Sequence, residues 1–202
     1  MDLGTFIVGK TFYYKGASEL ELGSVAVPSG RLRIRDPFFP HPGPDDGCLL
    51  IVAPGTYRVW VTLVEIPALH DETELETREA YLSIGLNDRT PTGLDYADAL
   101  LPSPRPSFGA MTGTDSGNIA VFDDTLTDID RQQLSDELDA HHPLPELYAN
   151  IAVGDRNIVC SHSGYGDGAF NILLTYDLTG PIAIHIDFGI FDTDEDNEDD
   201  DG

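Results

Sequence analysis

Basic side chains are the scarcest component of this chain. Two lysines and nine arginines stand against 36 acids, giving a net charge of −25. A surface so negative repels polyanions, which excludes nucleic acid and anionic membrane as expected partners. Cysteine is nearly absent too. Cys48 (in GCLLIV) and Cys160 (in NIVCS) stand alone in apolar runs, without a CxxC spacing. Two such residues do not make a structural zinc site, and they read as buried free thiols rather than a disulfide. Long hydrophobic runs are also lacking: the longest, Cys48 to Ala53, is far too short to span a bilayer. Asp2 occupies the place of a basic n-region and no apolar h-region follows, so no signal peptide is expected and the cytoplasm is the expected compartment.

What is present describes a folded chain. Hydrophobic residues make up 41% of 202 residues, with nine Phe and eight Tyr, enough for a sizeable core. Residues 1–191 read as a single globular β-rich domain. Asp192 to Gly202, with eight acids and nothing to bury, reads as a disordered tail. The charge is uneven. Residues 1–110 hold 15 acids and nine bases, net −6, whereas residues 111–202 hold 21 acids and two bases, net −19. Two explanations compete. One is a partner with a basic face, such as a nucleic-acid-cleaving enzyme under inhibition. The other is a host whose proteins are generally acidic, as in a salt-rich cytoplasm.

Period-2 alternation bounded by turn residues recurs along the chain and predicts strands. In GRLRIRD (Gly30 to Asp36), Leu32 and Ile34 oppose Arg31, Arg33 and Arg35. TYRVWVTLVE (Thr56 to Glu65) places Tyr57, Val59, Val61 and Leu63 on one face, and REAYLSIGL (Arg78 to Leu86) and NIAVFD (Asn118 to Asp123) continue the pattern. Three further strands are expected over Asn157–Ser161, Ala169–Tyr176 and Pro181–Phe191. Connections this short hold no crossover helix, so the pairing should be antiparallel. Thr125 to His142 departs from the pattern, with a helix start at Thr127, a thin stripe of Leu126, Ile129, Leu134 and Leu138, and Pro143 beyond. A short helical turn starting at Pro145 in LPELYANI is expected to follow. The fold class is therefore mostly β with some α: an antiparallel β-sandwich or strongly bent sheet with one covering helix of about four turns.

Several segments carry possible chemistry. SGYGDGAF (Ser163 to Phe170) has the glycines of a phosphate loop, but a strand follows it, and Asp167 would face the phosphate. It reads better as a hairpin connection with glycines at positive φ and Tyr165 packed as a lid. GTDSGN (Gly113 to Asn118) superficially resembles the serine segment of trypsin-like proteases, without the glycines or the base that chemistry requires. Asp115 and Ser116 there are suited to bracing a turn. His185 and Asp187 have a His-x-Asp metal spacing, but no later histidine completes a triad. They read as a half-exposed pair on a strand. DFG at 187–189 has none of the kinase companions. Asp192, Asp194 and Asp196 open like an EF-hand loop without its glycine or closing Glu. Asp123 and Asp124, with Asp128 and Asp130, are weak metal candidates beside the more ordinary reading of a solvated face. The Arg31–Arg33–Arg35 stripe suits internal pairing with carboxylates, or alternatively an anion pocket.

Taken in order, VPSGRL with DP (Val27 to Pro37), PGTYRV (Pro54 to Val59), TDSGN with FDD (Thr114 to Asp124), SGYGDGAF and IDFGIF (Ile186 to Phe191) resemble a bacterial family of small domains classed only as of unknown function. The resemblance spans about residues 20–191. It implies a stand-alone soluble bacterial protein and brings no activity with it. It does direct attention to the DSG and GYGDG segments. The first expectation is a non-catalytic binding protein, of immunity or inhibitor type, that engages a basic protein through its acidic C-terminal half, with no cofactor. The second is an enzyme or a small-ligand or divalent-cation binder. It would use Asp115, Ser116, Asp167 and Asp187, with Asn118, Ser163, Tyr165, His185 and the three arginines as ligand-binding candidates. A structural module without ligand is the third.

Overall fold

The computed structural model describes residues 17–39, 47–68, 71–127, 129–140 and 148–190. The 192–202 tail, with the Asp192–Asp196 pattern, Asp128 and the expected turn at Pro145 lie outside them. Among the described residues, twelve strands form two antiparallel sheets. The larger joins β1 (Ser18–Val27), β4 (Gly55–Ala68), β5 (Asp71–Gly85), β12 (Gly180–Asp187), β11 (Gly168–Asp177) and β6 (Gly93–Tyr96) in that spatial order, and β7 (Met111–Thr114) pairs with β11. The smaller runs β3 (Cys48–Ile51), β2 (Arg31–Arg35), β8 (Asn118–Asp123), β10 (Arg156–His162), β9 (Tyr148–Val153).

The main core lies between the sheets. Val25, Val59, Val61, Leu82, Ile172, Ile184 and Ile186 from the larger sheet meet Leu32, Ile34, Leu50, Ile119, Val121 and Val159 from the smaller. Alternation therefore aims the residues expected of it inward. It understates the burial, however. Trp60, Thr62, Ser83, Thr175 and His185 on the opposite face of the larger sheet are buried as well. A strand buried on both faces loses the polar half of its alternating signature, as VWVTLV does.

On the outer face of the smaller sheet, Leu134 and Leu138 of α1 (Arg131–Ala140) pack on Phe122, Ile151, Ile158 and Cys160. The helix is shorter than expected and starts four residues later. Asp123 explains the delay. It accepts the Thr125 N–H on Oδ1 at 2.9 Å and its carbonyl accepts the Leu126 N–H at 2.9 Å, which holds 123–126 in a turn. Asp130 then caps the helix through the Gln133 N–H at 3.0 Å. Tyr148 to Val153, whose first residues were expected to be helical, form β9, because pairing with β10 supplies their backbone partners. Both cysteines are free and buried, and burial pushes the Cys48 thiol up to about 12.

Candidate functional site

The two segments singled out by the sequence are both places where the chain changes sheets. Asp115–Gly117 connects β7 of the larger sheet to β8 of the smaller, and residues 163–167 connect β10 of the smaller to β11 of the larger. SGYGDG is therefore a corner crossing, not a hairpin. Gly164 at φ +66° and Gly166 at φ +108° take the reversal that an L side chain would resist.

The organiser of this corner is Asp36, at the exit of β2. Its carboxylate is buried and accepts five hydrogen bonds. Oδ2 receives the Thr114 hydroxyl at 2.8 Å and the N–H groups of Asp115 at 3.0 Å and Ser116 at 2.9 Å. Oδ1 receives the Ser116 hydroxyl and the Phe38 N–H, each at 2.8 Å. Burial alone would raise the pKa of Asp36. The Phe38 N–H, the Ser116 and Thr114 hydroxyls and the Asp115 N–H outweigh it and hold the carboxyl below its ordinary value. Ser116 thus spends its hydroxyl on Asp36, which is turn bracing rather than nucleophile geometry. The signal for Asp36 in the sequence was the DP that follows the arginine stripe.

The glycine segment docks directly on this turn. The Ser163 N–H donates to the Gly117 carbonyl at 3.0 Å, and the Ser163 hydroxyl closes its own loop on the Gly166 carbonyl at 2.7 Å. A Cβ on Gly117 would stand 3.3 Å from Gly166 Cα. Asn118 donates its amide to the Ser116 carbonyl at 2.8 Å. Tyr165 is not a packed lid: its ring is half exposed, with the Arg78 guanidinium 5.6 Å from its centroid. Beneath the loop, His162 Nδ1 meets the carboxylate of buried Glu79 at 3.2 Å. Sequence reasoning missed this pair. Glu79 opens the buried half of β5, which continues through Ile84, and a β4–β5 bulge that no local pattern announces turns it inward.

The remaining candidates are dispersed. Asp115 and Asp167 are exposed, although Asp115 borders a cleft of about 250 Å³ shared with Arg35, Asp36, Thr114 and Gly168. Asp187, at the end of β12, accepts the Gly189 N–H at 3.0 Å. His185 is buried rather than half-exposed. Its Nδ1 lies 2.9 Å from Ser83 Oγ and its Nε2 3.1 Å from Thr175 Oγ1, with Trp60 edge-on to its ring. At the opposite end of β2 from Asp36, Arg31 and Arg33 share the carboxylate of Asp124, at 2.8 and 2.6 Å. Arg35 lies over the Phe122 ring. Asp123 is consumed by the Ser29 N–H at 2.8 Å and by Thr125. The pKa values of both aspartates lie below the usual carboxylate range. In each, burial pulls the other way and is outweighed, by Thr125 and Ser29 around Asp123 and by Arg31 and Arg33 around Asp124. Among the described residues, no three His, Cys, Asp or Glu side chains converge as a metal site would require. No helix among them is long and apolar enough to cross a membrane. Comparison with protein-family models, curated proteins and solved structures finds no match to this chain.

Proposed function

We propose that this is a non-catalytic binding protein, of the immunity or inhibitor type, that engages a basic protein through its acidic C-terminal half. The observation that carries the reading is a division of labour among carboxylates. Asp36, Asp123 and Asp124 are spent inside the fold, whereas Asp136, Glu137 and Asp139 lie exposed on α1, opposite the Leu134–Leu138 stripe that packs on the sheet. Asp155, in the nearby β9–β10 turn, is 87% exposed. Such a face attracts a basic partner, speeds its encounter and rejects acidic competitors. The finer elements of this reading, a bacterial cytoplasmic protein with an inhibitory role, rest on the motifs and the charge.

The second reading, a small ligand or divalent cation held by the DSG and GYGDG segments, is favoured by the contact between those loops and the cleft beside Asp115. It is disfavoured by the exposure of Asp115 and Asp167 and by the saturation of Asp36.

The test is affinity capture from the native host at low and moderate salt, with wild type and a D136N/E137Q/D139N variant. One basic protein should co-purify in near-stoichiometric amount, leave as salt rises and bind the variant at least about tenfold more weakly. A partner indifferent to both salt and variant, or no partner, overturns the reading and moves attention to the loop corner.

A further inference from the structure

We propose a second, independent binding site: the groove beside the proline-rich 101–109 loop takes an amphipathic anion, a carboxylate on an apolar body. The groove encloses about 340 Å³ and is walled by Leu49, Leu101, Pro104, Phe108 and Met111, with Arg33 and Arg105 at its polar margin. Phe108 is 63% exposed, and a second cleft of about 330 Å³, which includes half-exposed Tyr96, opens against the same ring. An aromatic left this open beside connected concavities is characteristic of a site rather than of a packing residue.

The loop is held in shape without a ligand. Asp98 Oδ1 accepts the Ala110 N–H at 2.7 Å and the Asp98 carbonyl accepts the Leu101 N–H at 3.2 Å, which clamps the two ends together. The Pro106 carbonyl accepts the Gly109 N–H at 3.2 Å, and Ala110 is tied to β11 through the Ile172 N–H at 2.9 Å. Three prolines restrict the backbone between these ties. A preformed groove avoids the ordering cost that weakens most small-molecule binding.

The charge class follows from Arg105. On a protein of net −25, arginines find partners readily. Arg31 and Arg33 hold Asp124, Arg58 holds Glu19 and Glu21, Arg78 holds Glu76, Arg89 holds Asp177 and Arg156 holds Asp155. Arg131 donates to the Phe39 carbonyl and Arg35 covers Phe122. Among the described residues, Arg105 has neither an ion pair nor a hydrogen bond. The site therefore offers an open fork-shaped donor beside apolar walls. That combination selects a monoanionic carboxylate over a neutral isostere and over a more highly charged phosphate, which the surrounding acids repel.

Decanoate and its neutral counterpart decanamide test the site on the full chain, by calorimetry and by displacement of anilinonaphthalene sulfonate fluorescence. The expected result is saturable, stoichiometric decanoate binding at least about tenfold tighter than decanamide binding. Arg105→Gln, at an exposed position, should abolish that discrimination and leave decanamide unaffected. Phe108→Ala should weaken both ligands alike. The proposal is overturned if decanoate does not saturate, if the two ligands bind equally to wild type, or if Arg105→Gln leaves the preference intact.

Discussion

His185 shows what burial does to a single titratable group. Both ring nitrogens have hydroxyl partners, Ser83 and Thr175, and neither partner is charged. Burial lowers the pKa of the imidazole to about 3. In the unfolded chain His185 takes up a proton near pH 6.5. Between those values only the unfolded state binds it. The contribution to stability is thus complete above about pH 6.5 and is lost as pH falls, by about 1.4 kcal/mol per pH unit. The stability gap between wild type and His185→Gln, measured by urea unfolding, should therefore shrink by roughly that amount between pH 6 and pH 5. Parallel pH profiles would mean that His185 is charged in the fold. Asp36 works in the opposite protonation sense. It is retained as a carboxylate because five donors converge on it, and what it holds in place is the DSG turn.

At the scale of elements, the DSG and GYGDG crossings hold one another in place, the Ser163 N–H donating to the Gly117 carbonyl. Gly164 takes φ +66°, and a Cβ there would stand 2.9 Å from the Glu79 carbonyl oxygen and from Ile190 Cδ1. The neighbour is backbone, so it cannot swing aside. Gly154 in the β9–β10 turn has nearly the same φ, +65°, with nothing within 4 Å of its Cβ. Gly154→Ala should cost about 1 kcal/mol from conformation alone. Gly164→Ala should cost about 2 kcal/mol more, because overpacking adds to the strain. Thermal or chemical unfolding of the pair separates the two terms, and equal losses would show that the corner can relax. The pair also explains why a glycine-rich string misleads at sequence level. Positive φ is needed equally by a free turn and by a corner wedged against a neighbouring strand.

For the whole molecule, the dominant long-range term is self-repulsion. With a net charge of −25, compaction gathers like charge, and the described ion pairs are mostly surface contacts of small individual worth. Added salt shortens the screening length from about 30 Å at 0.01 M to about 3 Å at 1 M. The melting temperature should therefore rise steadily with sodium chloride over that range. A fall would show that specific ion pairs, such as the Arg31–Asp124–Arg33 trio, outweigh the net repulsion. The same field favours encounter with a basic protein at α1 and leaves Arg105 as an isolated attractive point beside the proline loop.

Composition and periodicity by themselves determined the β-rich class, the antiparallel pairing, the apolar faces of β2, β4 and β8, the free thiols and the acid bias of the C-terminal half. These follow from local chemistry: side chains alternate along a strand, and charge is additive whatever the fold. The DSG and GYGDG segments were legible as special because glycine and Asx residues at turns have few other uses. Only the tertiary structure decided that both segments cross between sheets and lie against one another, and that Asp36 is their hub. It also turned Glu79 inward through a bulge, buried the second face of the larger sheet, and left Arg105 without a partner while Arg31 and Arg33 share Asp124. Each of these depends on which strands become neighbours across tens of residues, and no window of sequence contains that information.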